Sequence, residues 1–250
     1  MPGSRIVMHE RPSEVIVILP TYNERETLPA TVAGVRAHLP EADILVIDDG
    51  SPDGTGRIAD ELALGIDGLF VHHRAAKLGL GTAYVRGFRH AIENGYRVAV
   101  EMDSDGSHLP ADLPRLVAAA RACEGVAIGA RWVAGGRIVG WPWYRRWISH
   151  TGTRVARIAL RSRLHDLTSG FRAIDTRCIE RLDLDAVDSQ GYAFQVETAW
   201  TFERLGCPIE EVPITFVERV DGRSKMSLGI VLEALAGVLR WGWRLRFGRR

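Results

Sequence analysis

The feature that most constrains this chain is a series of short apolar runs. Each ends abruptly in acidic or turn-forming residues, and longer helix-patterned stretches lie between them. Val15-Ile16-Val17-Ile18-Leu19 is a continuous, mostly β-branched run closed by Pro20. Lacking any polar alternation, it suits a strand covered on both faces. Ile44-Leu45-Val46-Ile47 repeats the pattern before Asp48-Asp49-Gly50-Ser51, and residues 69–72, 98–102 and 126–129 continue the series. Helical spacing occupies residues 27–38, where Leu28, Val32, Val35 and Leu39 recur every three or four positions, and also 82–94 and 109–123. This alternation predicts a three-layer α/β domain around a mostly parallel central sheet. Such sheets bind ligands beyond the carboxyl ends of their strands. Here those ends carry Thr21-Tyr22-Asn23-Glu24, Asp48-Asp49, Arg74 and Asp103-Ser104-Asp105.

Composition narrows the function classes. A chain of 250 residues with 46% hydrophobic and 25% charged residues is globular in character and long enough for one large domain. A formal net charge of +1 argues against a broad nucleic-acid-binding surface. Cys123, Cys178 and Cys207 are widely spaced and form no CxxC pair, so neither a disulfide framework nor a zinc site is expected. Residues 1–13 are polar and lack the apolar core of a signal peptide, and no run reaches the roughly 18 apolar residues of a membrane span. The expected location is cytoplasmic. The expected organisation is a flexible N-terminus over 1–13, a catalytic-size domain over 14–227, and a C-terminal amphipathic, arginine-rich helix over 228–250.

Charge is nevertheless uneven. Between residues 131 and 163 there are eight arginines, four of the seven tryptophans, and no Asp or Glu. Tryptophan with arginine suits a membrane headgroup boundary, although Arg154, Arg157 and Arg161, which share a helical face, are taken alone better explained as the solvated face of a cytosolic helix. At the C-terminus Leu228, Val231, Leu235, Val238 and Leu239 share a helical face opposite Glu233, Arg240 and Arg244. That pattern fits a helix lying in an anionic membrane surface or one packed on the domain.

The residues able to do chemistry cluster at the strand ends. Two carboxylates at i and i+2, Asp103 and Asp105, can meet one hard divalent cation, which prefers oxygen ligands and is commonly completed by substrate phosphates. The 48–55 segment reads as a turn, or as a carboxylate offered to a nucleobase or ribose. Tyr22 and Glu24 either cap the following helix or stack on and accept from a base. Lys77-Leu78-Gly79-Leu80-Gly81 is glycine-rich without P-loop or dinucleotide spacing. No G-x-S-x-G and no zinc-spaced histidines occur, which removes hydrolase triads and zinc chemistry.

Taken in order, Pro-Thr-Tyr-Asn-Glu, Asp-Asp-Gly-Ser-Pro-Asp-Gly-Thr, Lys-x-Gly-Leu-Gly and Asp-Ser-Asp-Gly-Ser-His-x-Pro carry a resemblance. It continues through Gly129-Ala130-Arg131 with Gly135-Gly136, Ser169-Gly170-Phe171-Arg172, Phe194-Gln195-Val196-Glu197 and Gly222-Arg223-Ser224-Lys225. Over roughly residues 14–227 the chain resembles family 2 glycosyltransferases of GT-A fold, specifically the dolichol- or polyprenol-phosphate mannose synthases. The resemblance implies GDP-mannose as donor, a polyprenyl phosphate as acceptor, inversion at the sugar carbon, and Mg²⁺ or Mn²⁺. It implies that Pro20, Tyr22, Glu24, Asp48, Asp49 and Lys77 hold the nucleotide-sugar, with Arg219 and Lys225 closing over its phosphates. Asp103 and Asp105 are the implied metal and diphosphate residues, and with Arg131 the implied catalytic set. Arg131, Arg145 and Ser149 match positions that hold the acceptor phosphate. Many relatives carry Gln as an additional metal ligand where this chain has Ser107, whose hydroxyl or a water would substitute. The implied setting is peripheral, on the cytoplasmic face of a membrane, with or without an anchoring partner protein. A UDP-glucose-dependent polyprenyl-phosphate glucosyltransferase, a sugar-nucleotide pyrophosphorylase and a non-catalytic membrane adaptor are the rival readings.

Overall fold

A computed structural model describes residues 13–187 and 191–219. Along the chain, β1 (Val15–Thr21) leads through α1 (Leu28–His38) to β2 (Asp43–Asp48), and α2 (Thr55–Gly65) to β3 (Leu69–His73). Then follow α3 (Leu80–Glu93), β4 (Val98–Glu101), α4 (Leu113–Cys123), β5 (Val126–Ala130) and β6 (Arg137–Val139). The second half comprises α5 (Trp143–Leu160), β7 (Arg172–Asp175), a one-turn α6 (Thr176–Ile179), α7 (Gly191–Arg204), β8 (Ile209–Pro213) and β9 (Thr215–Val217). Seven strands form the main sheet in the order β3-β2-β1-β4-β7-β5-β8, and β6 pairs with β9 in a small parallel ribbon. All neighbours in the main sheet are parallel except β7, which runs antiparallel to both β4 and β5. The expected mostly parallel, three-layer architecture is therefore what forms.

The apolar runs work as a doubly covered strand requires. Val15, Val17 and Leu19 of β1 pack with Leu28, Val32 and Val35 of α1 and with Leu116 of α4 on one side of the sheet. Ile16 and Ile18 pack on the other side with Tyr84 and Phe88 of α3 and Phe194 of α7. Alternate side chains of one strand thus feed two separate cores. The helix α3 lies close enough to β1 that a Cβ on Gly87 would sit 2.7 Å from a methyl carbon of Ile18, so glycine is what permits this contact. Strand order reverses between β1 and β4, and this is where a crevice opens at the carboxyl edge of a doubly wound sheet.

Arg154 and Arg157 lie on α5, while Arg161 is its left-handed C-cap at φ 53°. Among the described residues no helix is long and apolar enough to cross a membrane. The C-terminal segment 228–250, expected to form an amphipathic helix, lies outside the described residues.

Candidate active site

The carboxyl ends of β1, β2, β3 and β4 converge on one cavity of about 290 Å³. Of the residues singled out from the sequence, Pro20, Tyr22, Glu24, Asp49, Lys77, Asp103, Asp105 and Arg219 line it. A larger hollow of about 900 Å³ lies at the other end of the strands, where Ser13 and Glu14 enter β1 and Asp43 opens β2. It contains none of the predicted site residues and sits at the wrong edge of the sheet for a ligand of this fold.

The nucleoside side of the cavity is built from three interlocked loops. Asn23, at φ 59°, turns the chain after β1, and its N–H donates to Ser51 Oγ at 3.1 Å. Glu24 N–H donates to Thr55 Oγ1 at 3.0 Å, and Arg25 N–H to Asp53 Oδ2 at 3.2 Å. The 48–55 segment is thus both a turn and the brace of the loop that presents Tyr22 and Glu24. Asp48 supplies that bracing rather than a cavity wall: it is buried and accepts from Thr21 Oγ1 at 3.1 Å and from Ser51 N–H at 3.0 Å. Asp49 faces the cavity, pairs with buried Arg74, and accepts from Gly79 N–H at 3.0 Å. Arg74 in turn donates to Thr82 Oγ1 at 2.7 Å and to Gly79 O at 3.0 Å, which fixes the glycine-rich turn ahead of α3. Lys77 places its ammonium 4.0 Å from the Tyr22 ring centroid.

Asp103 and Asp105 leave β4 into the middle of the same cavity. The fully buried Tyr84 directs its hydroxyl at Asp103 Oδ1, 3.4 Å away. His108 Nδ1 accepts the Asp103 N–H at 3.1 Å. Burial pushes His108 down to about 4, so it is a neutral acceptor near pH 7 and its other nitrogen carries the proton. Asp105 accepts from Ser107 N–H at 3.0 Å and pairs with Arg219 Nε. Burial disfavours its charge, but Arg219 and the hydrogen bonds from Ser107 hold its carboxyl below the ordinary aspartate value. Two carboxyl groups facing a cavity fit a hard divalent cation whose remaining ligands come from a diphosphate and water. Among the described residues no group of three His, Cys, Asp or Glu is placed to hold a metal by itself. Ser107 is wholly buried and does not line the cavity; its visible part in the site is the backbone bond to Asp105.

The predicted acceptor residues stand behind and beside the cavity. Arg131 is 6% exposed, and its guanidinium meets Asp166 through Nε at 2.8 Å and Nη2 at 2.7 Å. Nη2 also donates to Thr168 Oγ1 at 2.7 Å, and Thr168 is on the cavity wall. Phe216 lies 5.3 Å from the Arg131 guanidinium carbon and 5.4 Å from Trp141, over which Arg145 stacks at 4.2 Å. Arg131 and Arg145 are therefore joined by an aromatic bridge, and Arg145 also pairs with Glu218 at 2.8 Å. Ser149 sits one turn along α5 from Arg145. Lys225 lies outside the described residues. Sequence reasoning named Arg74 only as a strand-end residue and gave no role to His108, Asp166 or Gln195, although His108 and Gln195 stand inside the quoted motifs.

A doubly wound sheet whose acidic strand ends surround a nucleotide-sized crevice, with one antiparallel strand inserted beside the switch point, defines a GT-A-like glycosyltransferase domain. Solved structures agree on the fold. Glucosyl-3-phosphoglycerate synthase of M. tuberculosis matches with a TM-score of 0.65 at 22% identity, covering 91% of this chain and 80% of that one. The same enzyme in complex with Mn²⁺ and UDP-glucose matches with a TM-score of 0.67 at 22% identity, over 91% of this chain and 78% of that one. The family is settled by sequence: a Glycosyl transferase family 2 model matches residues 16–183, and the chain belongs to that family. It is 51% identical to the undecaprenyl-phosphate mannosyltransferase of Micrococcus luteus, over 93% of this chain and 96% of that protein. It is 49% identical to the polyprenol monophosphomannose synthase of Mycolicibacterium smegmatis, over 96% of this chain and 91% of that protein.

Proposed function

We propose that this glycosyltransferase moves mannose from GDP-mannose to a polyprenyl monophosphate with inversion, at the cytoplasmic surface of a membrane and with Mg²⁺ or Mn²⁺. The observation that carries the reading is the near full-length similarity, at about half identity, to two proteins named for mannosyl transfer to a polyprenyl phosphate. The site is consistent with it. Tyr22, Glu24, Asp49 and Lys77 offer a ring, carboxylates and an ammonium to a nucleoside diphosphate. Asp103 and Asp105 would hold the metal, which when bound offsets the charge on the departing nucleotide diphosphate.

A polyprenyl phosphate has a second pKa of about 6 and is mostly dianionic near pH 7. An ionised nucleophile needs no general base, so the chain's task is positioning and charge compensation. Arg145 and Ser149 on α5, with Arg131 behind Thr168, form the side from which the acceptor phosphate enters. Guanidinium groups suit it because they can meet a phosphate bidentately. Asp105 and Arg219 stand where the donor diphosphate would lie, and Tyr84 and His108 hold Asp103 in place.

The membrane part of the reading rests on α5. Trp143 is 79% exposed, Trp147 65% and Ile158 75%, with Arg146 and Arg154 also exposed along the helix. Aromatic and aliphatic side chains beside cations on a helix without an acid suit a layer of anionic headgroups. This surface supplies a membrane contact from the chain itself, and nothing among the described residues calls for an anchoring partner protein.

Equilibrium competition tests the donor. With Mn²⁺ present, GDP should displace a fluorescent GDP analogue well below the concentration of UDP required. Preferential displacement by UDP would move the assignment to a UDP-sugar donor, the glucosyltransferase reading.

A further inference from the structure

Gln195, in the first turns of α7, is a buried polar residue that the proposed mechanism leaves without a task. It is 2% exposed, yet it lines the cavity. Among the described residues neither its Nε2 nor its Oε1 meets a partner at hydrogen-bonding geometry; the polar group that it does interact with is Glu101, at the end of β4. A buried carboxamide left short of partners is unfavourable, so its retention on a cavity wall points to a ligand that completes it.

Its position narrows what that ligand is. A Cβ placed on Gly170 would lie 3.2 Å from Gln195 Nε2 and 3.9 Å from Asp103 Oδ1, so the carboxamide and Asp103 flank one small space that the glycine keeps open. The same cavity is lined by Tyr22 and Lys77, by Asp103 and Asp105, and by Thr168, to which Arg131 donates from behind. In a nucleotide-sugar the hexose follows the diphosphate, so the space beside Asp103 that Gly170 and Gln195 border is the one it would enter. An uncharged amide both donates and accepts, which matches a hydroxyl rather than a phosphate or a cation.

The backbone that carries the carboxamide is also firmly held. Arg172, wholly buried, donates to Gln195 O at 2.7 Å, Leu167 O at 3.1 Å and Thr198 Oγ1 at 2.8 Å. Its Nε lies 3.9 Å from Glu101, with which it is paired across β4 and β7. The buried pair thereby ties the start of α7 to the two strands below the cavity.

We propose that Gln195 determines sugar specificity by hydrogen-bonding a hydroxyl of the donor hexose, with the Glu101–Arg172 pair holding it in register. This rests on the reading of the cavity as a nucleotide-sugar site. The test uses the full chain with Mn²⁺, as wild type, Gln195→Ala and Gly170→Ala, the last at a glycine without positive φ. Calorimetry with GDP and GDP-mannose is combined with kcat/KM for GDP-mannose and for its singly deoxygenated analogues.

Both variants should bind GDP within about twofold of wild type and lose about tenfold or more in kcat/KM for GDP-mannose. One deoxy analogue should be poor with wild type yet show no further loss with Gln195→Ala, because the bond it lacks is already gone. Equal losses of GDP and GDP-mannose affinity would overturn the proposal. So would additive losses for every deoxy analogue. If Gln195→Ala fails to fold, Gly170→Ala decides by the same readouts. Wild type that binds UDP-glucose and not GDP-mannose would refute the donor reading alone, and Gln195 would then be judged on UDP against UDP-glucose.

Discussion

Removing the carboxylate of Asp166 should be among the most damaging single changes in this protein, although the residue lies off the cavity wall. Asp166 is wholly buried and accepts from Arg131 Nε, Arg131 Nη2 and the Arg131 backbone N–H at 2.7–2.9 Å. In Asp166→Ala a guanidinium only 4% exposed loses the carboxylate that meets it at two nitrogens. Breaking one side of such a pair costs about 3–5 kcal/mol, because the surviving charge stays buried. The exposed pair Arg57–Glu61, with side chains 72% and 58% accessible, is the internal control, and Glu61→Ala should cost about 0.3–0.5 kcal/mol. In urea unfolding followed by tryptophan fluorescence, a slope of about 3 kcal/mol/M puts the midpoint shifts near 1–1.7 M and below 0.2 M respectively. The double variant Asp166→Ala/Arg131→Met should recover much of the loss, since neither charge is then buried alone. A loss under about 1 kcal/mol in Asp166→Ala, or a double variant no better than the single, would refute the reasoning. The pair also makes Arg131→Ala a change in folding as well as in acceptor use, so Arg145 and Ser149 are the cleaner probes of acceptor binding.

Other consequences are as direct. Asp105→Asn should keep its melting temperature within a few degrees and lower kcat at least about 10²-fold, measured with saturating Mn²⁺. Glu218→Gln releases Arg145 from its ion pair and should lower KM for a polyprenyl phosphate severalfold at unchanged KM for the donor, read from initial rates. Asp175 is held below the ordinary aspartate value chiefly by the Arg177 side chain. Its stabilisation is therefore fully present above pH ~3.8 and is lost as pH falls through the depressed folded value. Asp175→Asn should be less stable than wild type at pH 6, with the gap closing on acidification below pH ~3.8 in urea titrations. Trp143→Ser/Trp147→Ser/Ile158→Ser should weaken sedimentation with anionic liposomes about tenfold or more while leaving transfer to a short, water-soluble polyprenyl phosphate near wild type.

The sequence announced β1, β2, β4 and β5 because strands covered on both faces carry nearly unbroken apolar runs, whereas β3, at the sheet edge and half exposed, showed itself only by a short run. It concealed β7, which opens on Arg172: a charged residue reads as surface until Glu101 is brought alongside by antiparallel pairing between segments far apart in the chain. The helix α2 was hidden for a different reason, since its approach through residues 48–55 is all turn chemistry. The edge strand β8 and the short ribbon of β6 and β9 lack a run long enough to signal themselves.

At the site, residues at strand ends were legible because topology alone places them together, and Asp49, Asp103 and Asp105 do share the cavity. Asp48 and Ser107 show the limit of that logic. Adjacent or near-adjacent residues on a strand exit point in different directions: Asp48 turns inward to brace the loops, and Ser107 is buried with its backbone N–H on Asp105. Asp166, His108 and Gln195 take their roles from partners that only tertiary packing supplies. A buried acid in a turn or a glutamine on a helix carries no local mark of its function.

The most direct test of the account is lipid-linked sugar formed by the purified full chain from radiolabelled GDP-mannose or UDP-glucose, with a short polyprenyl phosphate and Mn²⁺. The account predicts a mannosyl lipid from GDP-mannose, its formation abolished by chelation and by Asp105→Asn. A glucosyl lipid from UDP-glucose with none from GDP-mannose would contradict the donor, and no lipid product from either would contradict the proposed transfer itself.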